Sequence, residues 1–345
     1  MFVTKPSIKA SECYQDPHST GEMADSTQGD ALVHSLGVLA SAIITLVPGL
    51  LIHSFIIGVN VNDWWKGRSV TSIDHIVTSL GISRMCTQCA FIIFLFLASF
   101  SKSSLPVDVI MLIFPMAYSF FTYSNIWLTS LLSIVFCLKI SNLRTRPFLY
   151  LRRVILPRTG HFIVASGLLA AVICFMPFWS YINEIINDGP YNTTIDNQPI
   201  GDSSIVNVYH FSIGSSIPMI FYVISSVLLF SSLYHHTVKM KMSSNLSINL
   251  ETYYSAMKFV SFTFIYNIIY FFGMFASVFC YYLYGVRITW GNIIFGCLPV
   301  LHSSYLIYRT AKLRSQMSKV LQKVTEFLFP RKSTETRENI EVIAQ

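Results

Sequence analysis

An all-α membrane protein, a bundle of seven transmembrane helices with its N-terminus outside, is the fold class this sequence predicts. Three observations predict it. Of the 345 residues, 53% are hydrophobic and only 12% charged, against about 25% charged in a soluble domain. Apolar runs of about 20 residues recur along nearly the whole chain, each long enough to cross a hydrocarbon core of about 30 Å. Lysine and arginine gather in alternate loops, as the orientation of membrane helices requires.

The runs fall at about 32 to 59, 72 to 99, 107 to 139, 161 to 180, 211 to 234, 258 to 284 and 291 to 309. They are continuously apolar and do not alternate, so they read as helices and not as barrel strands. Pro48, Pro115, Pro177, Pro218 and Pro299 fall inside them, where neighbouring helices tolerate a kink. Residues 1–30 are polar and lack the apolar core of a cleaved signal. They are expected to form a disordered extracellular tail, with the first span as signal anchor; Met23 is an alternative start. Residues 31–310 are expected to form the seven-helix membrane domain and 311–345 a cytoplasmic tail.

With the N-terminus outside, the inner face collects Lys66, Arg68, Lys139, Arg144, Arg146, Arg152, Arg153, Arg158, Lys239, Lys241 and Lys258. The outer face keeps Lys5, Lys9, Lys102 and Arg287. The net charge of +7 therefore points to anionic lipid or a cytosolic partner and not to nucleic acid. The outer loop at about 181 to 210 has no cysteine, so no disulfide clamps it to the third span. The Cys86/Cys89 pair has no second pair and reads as packing. Asn192, in "YNTT", is an N-glycosylation acceptor on the predicted outer side. Asn245, in "NLS", lies on the inner side and is expected to stay bare.

Nine histidines raise the question of an enzyme. Intramembrane metal enzymes need clustered histidine boxes, and only His235 and His236 adjoin. No H-E-x-x-H, G-x-S-x-G elbow or phosphate-cradling glycine loop occurs. No metal, cofactor or catalytic residue is therefore assigned. A transporter would place acids at the bilayer midplane and show an internal repeat, whereas Asp74 and Asp108 sit near span ends.

Seven spans with basic inner loops form the architecture of a receptor, and particular stretches narrow the class. "VNVNDWWKGRSVTSIDHIVTSLGISR" leads through the second span, the third ends "LTSLLSIVFCLKISNLRTRPFLYLRRVI", and the seventh closes "HSSYLIYRTAKLRSQ". These resemble the type 2 (bitter) taste receptors, which carry VN..DW, S..D.I.T.L..SR, LKI.N followed by F.L.(K/R)R, and HS..LI....KL at the corresponding helix ends. The resemblance covers residues 45 to 315. The acidic-Arg-aromatic triplet, C-W-x-P and N-P-x-x-Y of rhodopsin-like receptors are absent, as they are in this family.

The resemblance implies a G-protein-coupled chemosensory receptor of the plasma membrane, multi-pass in the lipid bilayer. It would bind small organic (bitter) ligands and activate a heterotrimeric G protein with a gustducin-like α subunit. A pheromone-type chemoreceptor or a small transporter is the alternative. It places agonists in the outer half of the bundle, at Tyr118, Phe121, Thr122 and Asn125 of the third span, Tyr266 and Tyr270 of the sixth and Asn292 of the seventh. Tyr118, Thr122 and Asn125 also form one stripe at i, i+4 and i+7, which on an apolar span should face the interior. With Asn292 where several members carry Glu, an acidic handle for cationic ligands is missing. Lys139, Arg152, Arg153, His235 and Lys258 would meet the G protein, although positive-inside topology accounts for most of these charges equally well. The loop after the fifth span departs from the family at Tyr253, where histidine is usual, and lacks the D-P-S-T segment. Arg84, deep in the second span, would contact an asparagine of the first span and the serine after His302, here Ser303. The asparagine position holds His53, expected to accept a hydrogen bond from Arg84 when neutral.

Overall fold

The computed structural model describes the backbone of residues 17–100, 107–141, 143–188, 202–242, 247–284 and 289–329. Its elements are α1 (Pro17–Trp65), α2 (Ser72–Phe100), α3 (Val107–Ile140), α4 (Arg146–Ile155), α5 (Thr159–Asp188), α6 (Asp202–Met242), α7 (Ser247–Tyr284), α8 (Thr289–Arg309) and α9 (Ala311–Leu328). Among the described residues there is no strand. A bilayer offers no water to backbone amides, so each spanning segment must satisfy them internally as a helix.

Stretches of α1, α2, α3, α5, α6 and α7 are long and apolar enough to cross a membrane. α8, at 21 residues, reaches about 31 Å. Each of the seven expected spans thus lies within one helix. The helices run past the apolar runs at several ends: α1 starts at Pro17, ahead of the boundary expected at residue 31, and α6 continues to Met242. Two amphipathic helices, α4 and α9, fall outside every apolar run. α9 occupies the first part of what the sequence leaves as a tail.

Local chemistry sets the α1–α2 turn. Gly67 takes φ 67°, the left-handed conformation that closes a helix. Its N–H reaches the Trp64 carbonyl at 3.0 Å and that of Arg68 the Asp63 carbonyl at 3.0 Å, the paired bonds of a Schellman motif. α2 then opens on a capping box. The Thr71 hydroxyl takes the Asp74 N–H at 3.2 Å, and the Asp74 carboxylate takes the Thr71 N–H at 3.0 Å and its hydroxyl at 2.8 Å.

α2 packs broadly on α3 and α1, α6 on α7 and α3, and α8 on α1 and α7. Lipid tails are as apolar as leucine, so close approach and polar contacts, not hydrophobic burial alone, decide which faces meet. At Gly296 a Cβ would come 2.8 Å from Thr45 Oγ1, so α8 lies against α1 only because that side chain is absent. The main apolar core joins Ile56, Ile76, Leu80, Val135, Leu229 and Leu306 with Phe148 of α4 and Leu313 of α9. It fills the half of the bundle next to the α1–α2 turn, α4 and α9, hereafter the basic end. A small cluster of Tyr123, Ala170 and Cys174 with Phe211 ties α3, α5 and α6 in the far half. Outward-facing Ile44, Leu51, Val164 and Ile265 are exposed, the surface a bilayer solvates.

Candidate functional site

Between the two apolar clusters runs a polar layer organised by α2. Ser83, Arg84, Thr87 and Gln88 stand at i, i+1, i+4 and i+5, which gathers them on one side of the helix. Ser83 donates to the Phe121 carbonyl of α3 at 3.0 Å. Asn125 of α3 donates to Thr87 at 3.0 Å, and Gln88 to the Gly296 carbonyl of α8 at 3.4 Å.

Arg84 is the centre, 5% exposed. Its Nη1 donates to Nδ1 of His302 at 3.0 Å and to Oγ of Ser303 at 2.9 Å. Contrary to the expectation from the sequence, His53 takes no hydrogen bond from Arg84. Ser303 stands between them, with His53 Nε2 3.0 Å from its hydroxyl. The proton positions follow from what each group can do. A guanidinium only donates, so His302 Nδ1 accepts and its proton sits on Nε2. Ser303 accepts from Arg84 and keeps both a lone pair and a hydrogen for His53 Nε2, so either partner can donate across that 3.0 Å contact. His302 is therefore neutral in this arrangement, since a proton on its Nδ1 would face the guanidinium. The chain Arg84–Ser303–His53 joins α2, α8 and α1 through one hydroxyl.

Aromatic rings cover this centre from α7. Tyr266 stacks on His302 with centroids 4.8 Å apart, and Tyr270 meets Phe295 edge-on at 6.0 Å. Two cavities open beside Arg84. One, of about 40 Å³, is lined by Arg84, Asn125, Tyr222, Tyr266, Tyr270 and Met274, among others. The other, of about 50 Å³, is lined by Arg84, Gln88, Tyr118, Asn125, Tyr270 and Phe295, among others. The structure thus brings together Tyr118, Asn125, Tyr266 and Tyr270. Thr122 is buried with its hydroxyl on the Tyr118 carbonyl at 2.7 Å, and Phe121 packs against Phe120; neither lines these cavities. Asn292 belongs to α8, but its side chain lies outside the described residues, as does Asn192.

Toward the basic end a second polar tier was not read from the sequence. Ser133 of α3 bonds Ser225 at 2.7 Å and Ser226 at 2.9 Å. The Tyr222 hydroxyl donates to the Thr263 carbonyl at 2.9 Å and accepts from Asn267 at 3.0 Å. These tie α3 to α6 and α6 to α7. A further void of about 70 Å³ lies here, lined by Ser133, Tyr222, Ser226, Phe259 and His302 among others. His302 therefore faces both tiers.

At the basic end itself, Lys312 of α9 reaches Asp63 at 2.9 Å, Asn60 at 3.0 Å and Asp74 at 3.7 Å. Asp63 also holds Arg68 at 3.1 Å. Asn60 and Asp63 come from "VNVNDW", Asp74 from "SIDHI" and Lys312 from "AKL", so three separate motifs meet at one ammonium. Arg309 donates to Ser255, tying α8 to α7. Lys139, Arg152, Arg153, His235 and Lys258 are all exposed around this end. Among the described residues no three His, Cys, Asp or Glu gather to hold a metal.

The comparisons agree with this architecture. Residues 32–325 match the model of the taste receptor protein (TAS2R) family. The chain is 27% identical to taste receptor type 2 member 9 of Papio hamadryas and 28% identical to that of Homo sapiens, each over 83% of this chain and 94% of the relative. It is 29% identical to taste receptor type 2 member 4 of Homo sapiens, over 64% of this chain and 73% of the relative. The match spans the seven long helices and the Lys312 contacts alike, and the chain belongs to the TAS2R taste receptor family.

Proposed function

We propose that this bitter taste receptor, a G-protein-coupled receptor and not an enzyme, takes its small organic agonists in the space beside Arg84. The observation that carries the reading is the convergence of Tyr118, Asn125, Tyr266 and Tyr270 on two adjoining cavities in the far half of the bundle. Aromatic walls with a few convergent polar groups suit ligands of mainly apolar character. Phe121, Thr122 and Asn292 would act around this space, Thr122 through the backbone of Tyr118.

The basic end faces the cytosol in this reading, with the N-terminus outside, because the exposed Lys139, Arg152, Arg153, His235 and Lys258 collect there. That rim meets the heterotrimeric G protein, with a gustducin-like α subunit, at the plasma membrane. Residues 1–30 form the outer tail, 31–310 the receptor domain and 311–345 the cytoplasmic segment that begins with α9, and Asn192 carries a glycan. Agonist binding shifts the population of bundle states. The Arg84 layer, His302 and the serine tier form the path between cavity and rim.

Calcium responses in cells expressing the receptor with a coupled α subunit test the cavity. Tyr270→Ala and Asn125→Ala should raise the agonist concentration for half-response by about tenfold or more, as losing about 1.4 kcal/mol of contact would. Unchanged potency of every agonist in both variants, at normal surface expression, would refute the assignment.

A further inference from the structure

Among the described residues no counter-charge pairs with Arg84. Among the described residues its hydrogen-bond partners, His302 and Ser303, are neutral. The ion pairs found there all belong to the Lys312 and Arg68 group at the basic end. A guanidinium does not release its proton in a protein, and a buried charge without a counter-charge is strongly disfavoured. Inside a membrane bundle such a group normally pairs with a carboxylate. Both bonds of Arg84 leave from Nη1, so the donors on Nη2 and Nε take no part in them.

Space for an acceptor is present. The cavities of about 40 and 50 Å³ share Arg84, Asn125, Tyr270 and Pro299. Each exceeds the roughly 10–15 Å³ that one water-sized species needs. Asn125, which lines both cavities, has its amide oxygen buried without a donor among the described residues. Water that donates one hydrogen to such an oxygen has a second to give to an anion.

We propose that the Arg84 centre binds a small monovalent anion, held by the Nη2 and Nε side of the guanidinium beside Asn125 and Tyr270. A chloride ion and the carboxylate of an organic ligand present the same chemistry there. Agonist-free stability reads the site, so its outcome does not depend on whether agonists occupy the same space.

The test uses the purified full-length receptor in lipid nanodiscs. Its Tm is measured in chloride and in gluconate, a carboxylate whose many hydroxyl groups would lose their water without partners in these mostly apolar cavities, at equal ionic strength. Saturable stabilisation by chloride, about 3 °C at ten times the dissociation constant, is expected. It should vanish in Arg84→Gln and persist in part in Arg84→Lys. If Arg84→Gln does not fold, Asn125→Leu, which fills the space beside the guanidinium, should remove the chloride effect. In gluconate, benzoate is compared with benzamide. Stabilisation by benzoate alone, without a chloride effect, assigns the site to ligand carboxylates, and competition between chloride and benzoate assigns it to both. Equal Tm in chloride, gluconate and benzoate overturns the proposal. So does a chloride effect that survives in Arg84→Gln, or in Asn125→Leu where Arg84→Gln does not fold.

Discussion

Replacing Ser303 by alanine removes one oxygen and breaks the link between three helices. That oxygen accepts from Arg84 Nη1 at 2.9 Å and is hydrogen-bonded to His53 Nε2 at 3.0 Å. His53 is 0% and Ser303 2% exposed, so bulk water does not replace either bond. The bond from the guanidinium is charge-assisted and is worth about 1.5–3 kcal/mol, and the neutral one about 1 kcal/mol. Interhelical hydrogen bonds in membrane proteins average about 0.6 kcal/mol and reach about 1.7, which pulls the sum down to about 1.5–3 kcal/mol. Shifts of about 3–10 °C in Tm follow. A thiol-reactive dye reads the transition, because Cys137 and Cys174 are free and buried and become reactive only when the helices separate. A double-mutant cycle with His53→Ala isolates the Ser303–His53 bond, with an expected coupling of about 1 kcal/mol. His53→Asn, whose amide can accept from or donate to the same hydroxyl, should keep most of the stability. A Ser303→Ala receptor with unchanged Tm, or a coupling near zero with His53, would refute the three-helix link.

Three further outcomes are expected. Lys312→Ala frees the start of α9 from Asp63, Asn60 and Asp74; because Lys312 is 31% exposed, the loss is only about 0.5–1 kcal/mol, seen as faster amide exchange over residues 311–328 with little change in the core. Gly296→Ala places a methyl group against Thr45 and costs about 1–3 kcal/mol, and Thr45→Ala should restore most of that loss in a thermal melt. Asn192→Gln should remove the glycan-dependent mobility shift of the expressed receptor, while Asn245→Gln leaves it unchanged.

Much of the fold was legible because the bilayer imposes a simple rule on sequence. Each apolar run had to be a helix, and the runs at 72 to 99 and 107 to 139 match α2 and α3 to within a residue. Helix ends that pass beyond the apolar core, as α6 does toward Met242, carry no such signal. α4 and α9 were missed because amphipathic helices at an interface lack a continuous apolar run. In the site, the Arg84–Ser303 contact was expected from the family resemblance and is present. The role of His53 was misplaced by one bond, since spacing along α1 shows its height but not which hydroxyl comes between. Ser83, Thr87 and Gln88 were overlooked although their spacing around Arg84 marks one face. Thr122 fits the stripe of Tyr118 and Asn125, yet its hydroxyl bonds its own helix, a competition that periodicity does not reveal.

By itself the sequence determined that this chain is a membrane helix bundle, which loops are basic and which family its motifs resemble. These follow from composition, run length and local order, quantities that need no knowledge of who neighbours whom. Only the tertiary structure decided that Asn60, Asp63 and Asp74 meet Lys312, that Ser133 meets Ser225 and Ser226, and that Arg84 faces neutral partners and two cavities. Such contacts join residues up to some 250 positions apart. Their existence depends on the rotation and closeness of packed helices, which small residues such as Gly296 set and which leave no periodic trace in any one segment.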